Sequence, residues 1–196
     1  MMTLETPLQL NERILQTALH VLDVESLAVQ AMKASIDDGF LASVALIEAR
    51  QAQGGRVMIT GMGKSGHIGR KMAATLSSTG TPAYFMHPAE GRHGDLGMVT
   101  SHDVVIAISN SGETEELLGL LPSLHTLETP IIAMTAKAHS TLAKQAVAIL
   151  NVAVPEEACP LGLAPPAATP ATLAGGEALA VVGQVSRGIA ARGVAL

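Results

Sequence analysis

The stretch "VMITGMGKSGHIGRKMAATLSS", residues 57–78, sets the reading of the whole chain. Val57 to Thr60 has the pattern of a short buried strand, glycines 61, 63 and 66 mark a turn, and the remainder has helical periodicity. The G-x-G-x-x-G spacing, with Lys64 and Ser65 inside it, admits three readings: a nucleotide loop, a sugar-phosphate site, or only a tight strand-to-helix turn. A Walker A loop fails, because its spacing needs glycine at position 58, which is Met58. A dinucleotide fold wants an acid about 20 residues on, at the end of the next strand. The chain has "YFMHP" there, without an acid.

Working outward, short apolar runs recur at 57–60, 83–86, 104–109, 130–135 and 146–154, with helical candidates at 64–78, 113–125 and 138–145 between most of them. Such alternation implies right-handed crossovers and a parallel sheet. The expected fold class is α/β: a three-layer sandwich with a five-stranded parallel, flavodoxin-like sheet, preceded by N-terminal helices. From Leu8 to Ala52 the apolar residues follow helical spacing, and Asp37-Asp38-Gly39 marks a kink. Residues 158–170 form a Pro-rich loop, after which Thr169 reads as an N-cap and Pro170 as the first residue of a last helix reaching about Arg187. One domain is expected over 1–196, with 1–53 as its helical segment and 54–196 as the α/β core and C-terminal helix.

Composition narrows the function classes. Hydrophobic residues are 48% of the 196 and charged residues 15%, which is a globular balance. Mean hydropathy is +0.37, yet no apolar run reaches the ~18 residues of a membrane span. Net charge is −5 and aromatics are 2%, so neither a basic stripe nor a stacking platform for nucleic acid is present. The N-terminus lacks a signal pattern, and Cys159 alone cannot build a disulfide framework. A cytoplasmic protein is expected. The Ala, Val and Leu excess suits a sheet buried on both faces and helices covered by neighbouring subunits.

Ligands in open parallel sheets bind beyond the carboxyl ends of the strands. After the third strand, "SNSGETEEL" (109–117) places Ser109, Ser111 and Thr114 around backbone N–H groups at the start of a helix opening near Gly112. That nest suits a phosphate monoester. Ser111 also reads as an N-cap with Glu113 in the first turn. Glu116 lies in the first turns of that helix, and Glu157 follows the last strand. His87 and His93 fall in the polar loop "MHPAEGRHGDLGM", in a spacing that matches no common metal frame. A lysine, carboxylates and histidines together suit proton shuttling better than nucleophilic catalysis.

Three segments, "TGMGKSGHIGRKMAATLSSTGTPAYFMHPAEGRHGDLGM", "DVVIAISNSGETEEL" and "EEACPLGLAP", closely resemble the arabinose 5-phosphate isomerase family, proteins with a sugar isomerase (SIS) domain. The resemblance covers nearly the whole chain and is tightest over 56–165. It implies interconversion of D-ribulose 5-phosphate and D-arabinose 5-phosphate through an enediol, without a cofactor, at the start of the pathway to the lipopolysaccharide sugar Kdo. By motif matching it implies catalytic roles for Lys64, Glu116, Glu157 and His93. Substrate or phosphate contacts are implied at Gly63, Ser65, Gly80, Thr81, His87, Ser109, Asn110, Ser111 and Thr114. Zinc, as an inhibitory or structural ion, is implied at His87. A homotetramer is implied as well, with a small phosphosugar as ligand.

Two stretches depart from the family pattern. The family's "APTSSTTATL" reads "APPAATPATL" here, and an "SHPGGALG"-like segment after the last helix, whose histidine is thought to serve catalysis, is not in this sequence. The regulatory CBS domain pair of longer members is likewise not in it. An impaired isomerase acting as a sugar-phosphate-binding module, or an isomerase of another phosphosugar, are the competing expectations.

Overall fold

The computed structural model describes residues 6–159, 161 and 165–188. Five parallel strands form one sheet: β1 (Val57–Gly61), β2 (Ala83–Phe85), β3 (Val104–Ile108), β4 (Ile131–Thr135) and β5 (Ala148–Asn151), in the order β2-β1-β3-β4-β5. The order reverses between β1 and β3, whose register pairs Val57 with Val104 and Gly61 with Ile108. That reversal is the topological switch point where doubly wound sheets bind their ligands. Every residue of β1, β3 and β4 is buried, as a sheet covered on both faces requires.

Alternate side chains feed two cores. Ile59, Ile106 and Ile132 point to one face, where α1 (Pro7–Ala31), α2 (Asp38–Gln51), α3 (Gly63–Ser78) and α8 (Ala168–Ser186) pack. Met58, Val105, Ile131 and Ala133 point to the other, beneath α4 (Pro88–Arg92), α5 (Glu115–Leu118), α6 (Leu121–Thr126) and α7 (Thr141–Gln145). The three-layer flavodoxin-like expectation therefore holds, with N-terminal helices preceding the sheet.

Local chemistry explains where the expected boundaries moved. The kink at 37–39 is a true break, since the Asp37 carboxylate accepts from Phe40 N at 3.1 Å and starts α2. The expected helix 113–125 is two short helices with Gly119 and Pro122 at the junction. The helix expected at 138–145 starts only at Thr141, capped by Ser140. Strand five keeps four of its nine expected residues, and the histidine loop contains α4 and a 3₁₀ turn over Asp95–Met98. Thr169 is not the cap of α8: its hydroxyl donates to the Pro165 carbonyl at 3.0 Å, and the helix already starts at Ala168.

At the amino edge of the sheet, Asp103 ties the start of β1 to the turn before β3. Its buried carboxylate accepts from Arg56 N (2.8 Å), Arg56 Nη2 (3.1 Å) and Thr100 N (2.9 Å). Burial alone would raise its pKa, but the hydrogen bonds from Arg56 and Thr100 outweigh it and hold the group below the usual aspartate value. A depressed folded pKa gives stability that is complete above the unfolded value and is lost as pH falls through the folded one. Asp103→Asn should therefore lower stability by about 2 kcal/mol at neutral pH and flatten its decline below about pH 4. Urea unfolding at a series of pH values measures both, and an unchanged acid slope would contradict the assignment.

Candidate active site

The glycine-rich turn lets α3 close onto the end of β1. A Cβ on Gly66 would lie 2.7 Å from the Gly61 carbonyl oxygen, so the helix can start this near the strand only with glycine there. Gly63, Lys64 and Ser65 form the first turn of α3, with Gly63 and Lys64 exposed. Because Gly61 pairs with Ile108, this turn lies directly beside the loop that leaves β3.

In that second loop Ser109 is the hub. Its hydroxyl accepts from Gly112 N at 3.0 Å, lies 2.8 Å from Thr114 Oγ1 and 3.5 Å from Ser111 Oγ. Ser111 Oγ accepts from Glu113 N at 3.2 Å. The loop is tied to β4 and α7 from outside: Asn110 O accepts from Thr135 Oγ1 (3.2 Å) and Ala136 N (3.1 Å), and Gly112 O accepts from Leu142 N (3.1 Å). The Glu113 carboxylate accepts from Thr141 N at 2.7 Å, which lowers its pKa and holds it ionised. The helix that follows starts at Glu115, later than its expected opening near Gly112, and has four residues. Its dipole is therefore short, and the anion-binding capacity of this loop resides in its clustered hydroxyls and turn amides.

Glu157 is half-buried after β5 and accepts from Ala167 N (2.8 Å) and Ala168 N (3.1 Å), one amide on each oxygen. A carboxylate thus starts α8 where the sequence suggested a threonine hydroxyl. The sequence missed this because the two partners are ten residues apart, beyond the reach of local capping patterns. Glu116 is exposed on α5. Lys64 lines a cleft of about 480 Å³ with Pro165, Pro166, Thr169, Pro170 and Leu173, the start of the helix that Glu157 caps.

His87 and His93 flank α4. His87 is its N-cap, with Nδ1 accepting from Ala89 N at 3.3 Å, and His93 follows its last turn, exposed. Among the described residues no group of three His, Cys, Asp or Glu side chains converges on a metal position. The described donors near His87 thus do not by themselves fit a zinc ion. Gly80 and Thr81 are not brought to the carboxyl edge. They precede β2 at the opposite edge, where Gly80 O accepts from Gln51 Nε2 (2.9 Å) and the buried Thr81 hydroxyl accepts from Arg187 Nη2 (2.8 Å). Cys159 is half-buried beyond Glu157. Among the described residues no helix is long and apolar enough to cross a membrane.

Comparison with known proteins agrees with this architecture. The chain is 53% identical over 160 residues to the arabinose 5-phosphate isomerase KdsD of Francisella tularensis, covering 82% of this chain and 48% of the relative. It is 58% identical over 142 residues to the protein of the same name from Escherichia coli K12, covering 72% and 43%. The chain thus spans about half the length of the curated relatives it matches. The solved structure of E. coli CFT073 c3406 in complex with arabinose 5-phosphate superimposes with a TM-score of 0.82 at 39% identity, over 94% of this chain and 96% of its own. Residues 51–182, spanning the sheet, both loops and nearly all of α8, match the SIS domain. The chain belongs to the SIS domain family.

Proposed function

We propose that this protein is an aldose–ketose isomerase that interconverts D-ribulose 5-phosphate and D-arabinose 5-phosphate for Kdo synthesis. The observation that carries the reading is the pairing of β1 with β3, which sets the Lys64 turn beside the Ser109–Ser111–Thr114 hydroxyl loop at the switch point. The E. coli relative in complex with arabinose 5-phosphate supports the same ligand class. The hydroxyls and turn amides would hold the phosphate. A carboxylate would remove a proton from C1 of the ketose, and Lys64 would stabilise the enediolate as charge develops on oxygen. The same proton, or one from His93 or Glu116, returns to C2, while the O1 hydroxyl proton is passed to O2, and the aldose results. Glu157 is the base in this scheme, because two amides fix its orientation. The reaction is redox-neutral within the substrate and asks for no cofactor; a zinc ion at His87 would be inhibitory or structural.

A coupled assay with ribulose 5-phosphate tests the reading. Turnover by the wild type is expected, with kcat lowered by about 10²- to 10³-fold in Lys64→Ala. No turnover by the wild type rejects it. The wall of prolines 165, 166 and 170 around Lys64 favours one competing reading, a module that binds phosphosugars without converting them. Calorimetric binding without turnover would select that alternative. A cytoplasmic homotetramer is part of the proposal. Its support is the outer face of α1, where Leu8 is 82%, Leu15 65% and Leu22 63% exposed, apolar surface of the kind that subunit contacts cover.

A further inference from the structure

Helix α1 reads as a plain amphipathic helix, yet one of its carboxylates does not fit that pattern. Glu25 is half-buried while Ser26 and Leu27 beside it are exposed. Among the described residues its carboxylate has no hydrogen-bond or ion-pair partner. An ionised carboxylate with no described protein donor can accept from a ligand instead. Glu25 lines the 480 Å³ cleft that Lys64 also lines, together with Pro165, Pro166, Thr169, Pro170 and Leu173. The other carboxylates of this region have partners or a lining of their own. Glu157 is bound to the first amides of α8, and Glu156 lines a separate groove with Val24 and Leu27.

We propose that Glu25 binds the hydroxyl groups of the phosphosugar whose charged end is held by Lys64 and the Ser109 loop. The inference rests on the phosphosugar reading above and adds a residue that touches the ligand. An ionised carboxylate is a pure acceptor with two oxygens, so it can take two adjacent hydroxyls at once through charge-assisted hydrogen bonds. Among the described residues of this cleft the prolines and Leu173 offer no side-chain partner, so beside Lys64 hydroxyl recognition falls on Glu25 and on Thr169, whose hydroxyl already donates to the Pro165 carbonyl. A site built to bond hydroxyls discriminates strongly against ligands that lack them.

Two ligands separate this role from a structural one. D-arabinose 5-phosphate carries the phosphate and the hydroxyls, whereas inorganic phosphate carries only the charge. Both are titrated into wild type, Glu25→Ala and Glu25→Gln by calorimetry and NMR, alongside thermal melting. Glu25→Ala should weaken arabinose 5-phosphate by about 10- to 100-fold, and Glu25→Gln by less. Phosphate should bind as before or slightly tighter, because a negative charge has been removed. Equal weakening of both ligands, or unchanged affinity for arabinose 5-phosphate, overturns the proposal. Binding requires no turnover, so a wild type that loses arabinose 5-phosphate on Glu25→Ala but never isomerises it rejects the isomerase and keeps this site. A wild type that binds neither ligand rejects both.

Discussion

Gly112→Ala should remove phosphosugar binding while leaving the sheet folded. Gly112 has φ +67°, a left-handed conformation that an L side chain adopts at a cost of about 1 kcal/mol. Its added Cβ would also overlap the side chain of Ser140. Ser140 cannot simply withdraw, since its hydroxyl accepts from Ala143 N at 3.3 Å and caps α7. The overlap therefore adds about 1–3 kcal/mol and pushes the loop out of register. Gly112 N would no longer reach Ser109 Oγ, and the hydroxyl cluster around Ser109 would lose its shape. The expected result is a fall of about 10²-fold or more in kcat/KM and in affinity for inorganic phosphate, with a modest fall in Tm. Adding Ser140→Gly relieves the overlap but not the backbone strain, so it should restore part of both. Unchanged phosphate affinity in Gly112→Ala would show that this loop is not the anion site.

What was legible in the sequence followed from short-range periodicity. Residues 57–78 displayed strand, turn and helix within one window, and buried runs such as "VVIAI" can be little else than interior strands. Once five such runs alternate with helices, handedness leaves few topologies, and the switch point follows. Contacts between distant segments were not legible. The bond from Glu157 to the amides at 167 and 168 joins residues ten and eleven positions apart across a proline-rich stretch of sequence, and local rules assigned the cap to Thr169 instead. The bond that ties Asp103 to β1 was equally hidden, because its donor, Arg56, lies 47 residues away in the sequence. Glu25 gave no signal, because only folding sets α1 beside Lys64. The carboxylates Glu116 and Glu157 were both recognisable, but their difference in burial and bonding appears only in three dimensions.

That difference makes Glu157→Gln informative. The side chain starts α8 and, in the proposed reaction, takes the substrate proton; glutamine treats these two tasks differently. The amide oxygen can still accept from one of Ala167 and Ala168, but its NH₂ group then faces the other N–H, donor against donor. Loss of one charge-assisted bond and of the negative charge at a helix N-terminus should cost about 2–3 kcal/mol, measured by urea unfolding. Turnover should fall further than the stability loss suggests, by about 10²- to 10⁴-fold in kcat, because glutamine cannot accept a proton. Glu157→Asp keeps the charge but shortens the reach by one methylene, so it should retain more stability than glutamine while still losing about 10²-fold in rate. Glu116→Gln supplies the contrast: Glu116 is exposed, so its replacement should leave the unfolding midpoint unchanged and report on chemistry alone. If Glu157→Gln unfolds more easily yet retains full turnover, Glu157 is only the cap of α8, and the base must be sought at Glu116. Loss of turnover in Glu157→Gln at a temperature where the protein stays folded places the proton transfer on the carboxylate that also holds the helix, joining fold and chemistry in one side chain.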